Sequence, residues 1–187
     1  MAEDPSAPQA VPVAAPRSIF LIGPMGSGKS AVGRALARLC GRKFIDSDAE
    51  IERRTGVDIP LIFEKEGEQG FRIREREVID ELTQRPDIVL ATGGGAVLLP
   101  ENRRYLVSRG LVVYLEASIE QQVERTRRGR NRPLLHGEDP RTRLSELMRV
   151  REPLYTALAQ ITVTTDHRRV QAVAEHILAE LKRRGFD

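Results

Sequence analysis

Short apolar runs alternate with longer amphipathic stretches along most of this chain. The apolar runs predict five β-strands, at 18–22, 43–46, 87–91, 111–115 and 160–164. The amphipathic stretches predict helices at 30–40, 48–55, 60–83, 101–109, 118–126, 140–158 and 168–184. Because the strands are mostly apolar and alternate with helices, we expect an α/β fold whose parallel sheet is covered by helices on both faces.

Two segments break this alternation. Residues 1–16 are rich in Ala and Pro, and their four prolines suit neither a helix nor a central strand, so we predict a disordered tail. Residues 127–139 read RRGRNRPLLHGED and are predicted to form a mobile loop. The rest of the chain, 17–187, has the length of one compact domain.

Composition narrows the class of protein. The formal net charge of +3 raises the question of nucleic-acid binding, but the basic residues are dispersed and nearly all are Arg. The one cysteine, Cys40, excludes an intrachain disulfide and a cysteine-rich zinc site. No apolar run has the length of a membrane span, and the acidic first residues differ from a secretory signal. We expect a cytoplasmic monomer with no nucleic-acid or membrane partner.

The first chemical motif is a phosphate-binding loop. Residues 23–30 read GPMGSGKS, which fits G-x-x-x-x-G-K-[ST], with a predicted strand before the motif and a predicted helix after it. The glycines allow backbone N–H groups to point at a phosphate, and the N-terminus of the helix adds partial positive charge. We expect Lys29 to reach the β- and γ-phosphates and Ser30 to bind Mg²⁺. The loop alone leaves a kinase, an ATPase and a GTPase open.

A pair of carboxylates follows the second strand. Asp46 and Asp48 lie where doubly wound folds bind their ligands, at the carboxyl end of a strand. One could hold Mg²⁺ through water while the other accepts a proton from a substrate hydroxyl. Alternatively, both could simply complement the dipole of the next helix, for which Ser47 and Glu50 predict a capping box.

Two further motifs could hold an acceptor. Arg72, in GEQGFRIRE at 67–75, is either a ligand-binding residue or half of an ordinary ion pair with Glu75. Within this motif, Gly70 is expected to weaken the helix by roughly 1 kcal/mol relative to Ala. The three glycines at 93–95 remove every side chain just after a predicted strand, which favours close packing against a ligand over a loose loop.

The last candidates are arginines near the predicted mobile loop. Arg132 lies within RNRPLL, and Arg151 begins REPLY near the end of the next predicted helix. An arginine on a lid can close over the γ-phosphate and stabilise the charge of the transferring group. The alternative for the arginines at 127–132 is a solvated basic loop.

Taken together, these motifs resemble the shikimate kinase family of P-loop kinases. The resemblance rests on motifs that occur in the family's order over nearly all of the folded chain, namely GPMGSGKS, the D-x-D at 46–48, GExxFRxxE at 67–75, TGGG at 92–95, RPLL at 132–135 and RxPLY at 151–155. It implies a three-layer fold like that of the nucleoside monophosphate kinases, with a five-stranded parallel sheet of order 2-3-1-4-5. A substrate-binding arm at about 48–83 and a lid at about 126–139 are also implied.

The resemblance further implies an activity, the transfer of the ATP γ-phosphoryl group to the 3-hydroxyl of shikimate with Mg²⁺. It implies catalytic roles for Lys29, Asp48 and Arg132. It places shikimate on Asp48, Arg72, Gly94 and Arg151, and Mg²⁺ on Ser30 and, through water, on Asp46. The implied ATP-binding residues are Gly26, Ser27, Gly28, Lys29, Ser30, Ala31, Arg125, Arg132 and Arg168, of which Arg125 and Arg168 flank the adenine.

The residues leave two alternative functions open. A related sugar-acid kinase, such as one acting on gluconate, would share the phosphate loop and an anionic acceptor. The D-x-D and GExxFR motifs followed by the triple glycine count against it. A basic P-loop protein that binds nucleic acid or a protein partner would have no small-molecule turnover. The dispersed charge and the lack of an aromatic stacking platform count against that rival.

Overall fold

The computed structural model describes residues 18–127 and 139–186. The predicted tail at 1–16 and most of the predicted lid, including Arg132, lie outside the described residues.

A parallel sheet of five strands forms the centre of the molecule. Its strands are β1 (Ile19–Ile22), β2 (Lys43–Asp46), β3 (Ile88–Ala91), β4 (Leu111–Glu116) and β5 (Ile161–Thr164). They lie in the order β2-β3-β1-β4-β5, and every neighbouring pair is parallel. The predicted strand positions and the order 2-3-1-4-5 are confirmed.

Seven helices of the described residues cover the sheet. They are α1 (Lys29–Cys40), α2 (Ser47–Thr55), α3 (Ile59–Thr83), α4 (Pro100–Arg109), α5 (Ile119–Thr126), α6 (Pro140–Leu158) and α7 (Val170–Arg183). A short 3₁₀ turn at Ala96–Leu98, which the hydrophobic pattern did not predict, follows the glycines after β3. Within 18–127 and 139–186, no helix combines the length and the apolar character needed to cross a membrane.

The core has two halves, one on each face of the sheet. Strand β1 alternates between them: Leu21 packs in the half formed with α1 and α7, whereas Phe20 packs in the half formed with α2, α3, α4 and α6. All four residues of β1 are fully buried. A central strand that is buried on both faces explains the uninterrupted apolar run in the sequence. Its carboxyl end is therefore held rigidly where the phosphate loop begins.

Helix α3 is broken at Gly67. Gly67 has a φ of 70° and a ψ of −178°, which interrupts the helix, whereas Gly70 lies within it. A positive φ is readily adopted only by glycine, so the break falls where the backbone needs it. The expected weakening of the helix at Gly70 stays a prediction, and the break at Gly67 is an additional feature that the sequence did not predict. The break separates the start of α3 from the segment that carries Arg72.

Candidate active site

A cleft of about 530 Å³ lies at the carboxyl ends of β1, β2 and β3. This is where parallel α/β sheets bind their ligands. The cleft brings together most of the residues that the sequence singled out, namely Gly26, Gly28, Lys29, Ser30, Ala31, Asp46, Asp48, Arg72, Gly94, Arg125 and Arg151. Motifs that are widely separated along the chain therefore share one cavity.

The phosphate loop forms one end of the cleft and is organised around Lys29. The Lys29 ammonium donates to the carbonyl oxygens of Gly23 (2.8 Å) and Pro24 (2.7 Å) and to Ser27 Oγ (3.3 Å). Lys29 and Ser27 are buried, so this positive charge is fixed in place rather than solvated on the surface. A fixed cation beside the N-terminus of α1 is suited to binding phosphate.

Ser30 and Asp46 connect the phosphate loop to the end of β2. Ser30 Oγ donates to Asp46 Oδ2 over 2.5 Å, and the other oxygen, Oδ1, accepts from the backbone N–H groups of Asp48 (3.0 Å) and Ala49 (3.3 Å). Asp46 is thus the N-cap of α2 while it also faces Ser30. The helix-capping role that the sequence left open for Asp46 is therefore observed, whereas its Mg²⁺-binding role stays a prediction.

The predicted capping box of Ser47 and Glu50 was wrong. Asp46 takes the cap position, because its carboxylate already reaches the first N–H groups of α2. Ser47 Oγ instead accepts from the backbone N–H of Gly93 (3.0 Å). Glu50 forms ion pairs with Arg53 and Arg54. Ser47 therefore ties the end of β2 to the triple glycine.

Asp48 has an unusual electrostatic environment. Its Oδ1 atom is buried and has no hydrogen-bond partner among the described residues. Burial and, to a smaller extent, the carboxylates of Glu75 and Asp46 raise the pKa of Asp48 to about 7, although the charges of Lys29 and Arg72 oppose the rise. The backbone N–H of Asp48 donates to Asp46, which contacts Ser30 of the phosphate loop, and the Asp48 carboxyl group lies at Gly93 beside Glu75, which also binds Arg72. An unpartnered carboxyl oxygen there can accept a proton from a hydroxyl group.

Arg72 forms the ion pair with Glu75 that the sequence allowed, and its role as a ligand-binding residue stays a prediction. The side chain is 8% exposed; Nη1 donates to Glu75 Oε2 (2.6 Å) and Nη2 donates to Glu68 Oε1 (2.9 Å). It therefore forms the expected ion pair and also lines the cleft. Two carboxylates hold the guanidinium in one orientation, which prepares it to bind an anion with little loss of entropy.

Glu75 is a residue of the site that the sequence reasoning did not select. It is fully buried, and its second oxygen, Oε1, has no hydrogen-bond partner among the described residues. Burial raises its pKa, while the charge of Arg72 opposes that rise. The signals in the sequence were its place at the end of the GExxFRxxE motif and its position three residues after Arg72, and that spacing is equally typical of an exposed ion pair.

The triple glycine provides the space for these charged groups. A Cβ atom at Gly93 would lie 2.6 Å from Glu75 Oε1 and 2.7 Å from Asp48 Oδ1. A Cβ atom at Gly95 would overlap the guanidinium of Arg72. Glycine was expected here because a ligand approaches the backbone. In the structure, charged side chains of the protein itself already approach it.

Arg151 supplies a second buried positive charge. It is 4% exposed and lies beside Gly94, where a Cβ atom would be 3.6 Å from Arg151 Nη1. Within the part of the chain that the structure describes, no carboxylate forms an ion pair with it. Burial lowers the pKa of Arg151, and the neighbouring Arg72 lowers it further. A buried guanidinium without an ion-pair partner is suited to an anionic ligand.

The same end of the cleft has an apolar wall. Ile59, Phe63 and Phe71 line it, and the rings of Phe63 and Phe71 are 4.9 Å apart. The sequence reasoning did not select Ile59 or Phe63, because apolar residues in an amphipathic helix are ordinarily assigned to the core. Together with the arginines, this wall suits a small acid that has a carbon skeleton and a carboxylate.

The predicted adenine residues have different surroundings. Arg125 lines the cleft and donates to the carbonyl oxygens of Gly26 (3.0 Å) and Thr165 (2.9 Å). It therefore connects the phosphate loop to the segment after β5. Arg168 is exposed, lies before α7 rather than in it, and points towards the carbonyl oxygen of Thr164. Arg168 is not among the residues that line the cleft, so its role stays a prediction.

Comparison with known proteins gives the same family from both sequence and structure. The sequence model of the family described as shikimate kinase matches residues 25–182. A relative named shikimate kinase, from Methylococcus capsulatus, is 56% identical over 169 residues, covering 90% of this chain and 94% of the relative. These values show membership of the family rather than a shared fold alone.

Comparison with solved structures supports the same family as the sequence comparison. Shikimate kinase from Acinetobacter baumannii in complex with shikimate has a TM-score of 0.89 and 50% identity, covering 93% of this chain and 97% of that one. A gluconokinase from Sinorhizobium meliloti 1021 has a TM-score of 0.53 and 21% identity, covering 90% of this chain and 93% of that one, and shows a common fold only. The chain belongs to the shikimate kinase family.

Proposed function

We propose that this protein transfers the γ-phosphoryl group of ATP to the 3-hydroxyl of shikimate, giving ADP and shikimate 3-phosphate. The observation that carries the proposal is the order of charges along one cleft. Lys29 belongs to the phosphate loop, whereas Arg72 and Arg151 lie at the glycines after β3. The Asp48 carboxyl group lies at Gly93 beside Glu75, the ion-pair partner of Arg72. This order suits an acceptor that has a carboxylate at one end and a reactive hydroxyl at the other.

The carboxylate of shikimate is proposed to bind Arg72 and Arg151. Both guanidinium groups are almost completely buried, and Arg151 has no ion-pair partner among the described residues. A carboxylate can accept two parallel hydrogen bonds from a planar guanidinium. Gly94, beside Arg151, is proposed to contact the substrate through its backbone. The apolar wall of Ile59, Phe63 and Phe71 then faces the ring carbons.

Asp48 is proposed to orient the 3-hydroxyl and to receive its proton. The hydroxyl oxygen forms a bond to the γ-phosphorus, the bond from that phosphorus to the β–γ bridging oxygen breaks, and the proton passes to the Asp48 carboxylate. The unpartnered Oδ1 atom is the acceptor available for this step. Because phosphoryl transfer needs little covalent help from the protein, positioning of the two substrates is the main contribution.

ATP is proposed to bind the phosphate loop with its phosphates towards Lys29. The backbone at Gly26, Ser27, Gly28, Ser30 and Ala31 is proposed to surround the phosphates. In this scheme Lys29 and Arg132 stabilise the charge of the transferring group. Arg132 lies outside the described residues, so its role rests on the family resemblance alone, and the same holds for the adenine contacts of Arg125 and Arg168.

Mg²⁺ is proposed to bind at Ser30 and, through water, at Asp46. The hydroxyl and carboxylate oxygens of these residues lie 2.5 Å apart at the edge of the phosphate loop, and both are hard oxygen ligands of the kind Mg²⁺ prefers. In 18–127 and 139–186, no three or more acidic, His or Cys side chains are arranged so that they could together hold a metal ion. One or two protein groups plus substrate phosphates are the usual Mg²⁺ ligands in kinases. When bound, the ion would neutralise charge on the phosphates.

Helices α2 and α3 are proposed to be the substrate-binding arm at about 48–83, since they carry Asp48, Arg72 and Glu75. A lid at about 126–139 and a single domain at 17–187 remain proposals of the same kind. The cytoplasmic location and the monomeric state stay predictions from the sequence.

The decisive experiment is a coupled assay of ADP release with several acceptors at equal concentration. Shikimate, gluconate and nucleoside monophosphates are compared with the full chain, ATP and Mg²⁺. We expect turnover with shikimate to exceed turnover with gluconate or a nucleotide by orders of magnitude. Greater turnover with gluconate would support the sugar-acid kinase, and the absence of turnover with every acceptor, together with RNA binding in a gel shift, would support the nucleic-acid protein.

A further inference from the structure

Tyr155 lies next to Gly94 and close to Arg151, and the proposed mechanism assigns no role to it. It is the last residue of the REPLY motif on α6, four positions after Arg151, so the two side chains emerge on the same face of the helix. The side chain is fully buried. Its hydroxyl donates to the carbonyl oxygen of Gly94 over 2.5 Å.

The hydroxyl is also a neighbour of the Arg151 guanidinium. Burial raises the pKa of Tyr155 to about 12, and the charge and hydrogen bond of Arg151 oppose that rise. The same interaction favours the charged form of Arg151 against the cost of its burial. One phenol group thus contacts both the backbone of Gly94 and the guanidinium beside it.

The bond to Gly94 fixes a peptide plane at the cleft. The carbonyl of Gly94 and the N–H of Gly95 belong to one planar trans peptide, so they point in opposite directions. Neither the N–H of Gly94 nor that of Gly95 donates a hydrogen bond to any described residue. A turn closed by the hydrogen bond from the Ala96 N–H to the Gly93 carbonyl (3.1 Å) spans this peptide, and the Tyr155 hydroxyl adds a restraint from outside the turn.

We propose that Tyr155 is a positioning residue for the acceptor carboxylate. Its hydroxyl holds the Gly94–Gly95 peptide and the Arg151 guanidinium in one arrangement, in which both meet the carboxylate of the substrate. This inference rests on the proposed function, because it assigns a task within the acceptor site. The proposed carboxylate site then consists of Arg72, Arg151 and the Gly94–Gly95 peptide, with Tyr155 holding the last two in position.

Tyr114 offers a matched control for the tyrosine hydroxyl. The rings of Tyr114 and Tyr155 are stacked with centroids 5.1 Å apart, and both are buried. The Tyr114 hydroxyl, however, has no hydrogen-bond partner among the described residues. Replacing either residue by Phe removes one buried oxygen from the same aromatic pair. Only Tyr155→Phe removes the contact with Gly94 and Arg151.

The test compares full steady-state kinetics of wild type, Tyr155→Phe and Tyr114→Phe. For Tyr155→Phe we expect the KM for shikimate to rise about 10-fold or more, with the KM for ATP changed less than about twofold. Tyr155→Phe should also lose most of its preference for shikimate over an analogue that lacks the carboxylate. Tyr114→Phe should match wild type in both properties.

Several outcomes would overturn the role of Tyr155. An unchanged KM for shikimate would do so, and so would an equal rise in the KM values of both substrates. A second measurement does not depend on turnover: amide hydrogen exchange in 92–98 should be faster in Tyr155→Phe than in wild type, with exchange in α1 unchanged. Unchanged exchange in that segment counts against the proposal. If wild type itself does not phosphorylate shikimate, the proposed function fails, whereas an active wild type with an indistinguishable Tyr155→Phe refutes only this inference.

Discussion

The hydroxyl of Ser30 and the carboxylate of Asp46 are 2.5 Å apart, joining the phosphate loop to the N-terminus of α2. Through its other oxygen, the same carboxylate caps α2. Asn caps helices about as well as Asp does, but it carries no charge. The capping role and the proposed metal role of this residue can therefore be separated by one substitution.

For Asp46→Asn we expect the Mg²⁺ concentration at half-maximal activity to rise about 10-fold, the order of effect typical when a group that supports a metal is lost. The melting temperature should change little, because the cap is retained. The measurement is a Mg²⁺ titration of ADP release at saturating ATP and shikimate. Asp58→Asn, at the N-cap of α3, is the control and should titrate like wild type. A large fall in melting temperature with an unchanged Mg²⁺ requirement would assign Asp46 to capping alone.

Loss of the Lys29 ammonium should stop catalysis without unfolding the protein. We expect Lys29→Ala to lower kcat by on the order of 100-fold or more, since it removes a fixed charge that stabilises the transition state. Shikimate binding, measured by calorimetry, should persist. Lys43→Ala removes an exposed lysine at the start of β2 and serves as the control. Near-normal turnover by folded Lys29→Ala would exclude the phosphate-loop mechanism.

Replacing Arg72 or Arg151 by Ala should mainly affect the acceptor. Breaking a buried charge pair costs on the order of 2–5 kcal/mol, so the KM for shikimate should rise strongly while the KM for ATP changes much less. Lys at either position should restore only part of the affinity, because it has the charge without the planar fork.

The control for the arginines is Arg74→Ala, which removes a more exposed arginine from the same helix, paired with Glu66. Each variant is assayed with shikimate and with an analogue that lacks the carboxylate. Variants at Arg72 and Arg151 should lose most of the wild-type preference for shikimate. Equal loss of activity with both acceptors would show that these arginines serve the fold or the nucleotide instead.

The buried carboxyl group of Asp48 should make stability depend on pH. Its pKa rises from an ordinary 3.8 to about 7 in the folded protein. Between these values the folded state binds more protons than the unfolded state, so the free energy of unfolding falls as the pH rises through this window. The loss of stability caused by ionising Asp48 is absent below about pH 4 and complete above about pH 7.

Asp48→Asn cannot ionise at this position. We therefore expect it to melt at a higher temperature than wild type at pH 8, with a smaller advantage at pH 5, while its activity falls by roughly 10²–10⁴-fold. The melting temperatures are measured by calorimetry without nucleotide and with a chelator, so that metal binding does not contribute to the difference between the two proteins. A variant that melts below wild type at pH 8 would show that the ionised carboxylate stabilises the fold.

The sheet and the position of the cleft were predictable because strong signals agreed. Runs that are wholly apolar in β1 and β3, almost wholly apolar in β4 and partly apolar in β2 and β5 predicted all five strands. The glycines and Lys29 of the phosphate loop predicted the strand end at which the cleft lies. Local details were less predictable where two neighbouring residues had the same propensities. Asp46 and Ser47 are both good N-caps, and only the position of the backbone after β2 selects Asp46.

The inner layer of the site could not be predicted because it depends on distances between remote segments. Glu75 has the sequence pattern of a surface ion pair, and only the packing of α3 against the sheet buries it. Tyr155 contacts Gly94, a residue 61 positions away in the chain. Likewise, both Gly67 and Gly70 are glycines within one helical pattern, so the sequence does not distinguish them. Only the backbone angles show that the break in α3 falls at Gly67.

The crowding at the triple glycine limits how this cleft can be changed. Because the carboxylates of Asp48 and Glu75 and the guanidinium of Arg72 all press against a backbone without side chains, a single added methyl group there displaces a charge rather than filling a space. Acceptor specificity can therefore not be altered by small steps at 93 or 95. Redesign for a larger or uncharged acceptor has to begin at the apolar wall of Ile59 and Phe63, where the contacts are made by side chains that can be exchanged.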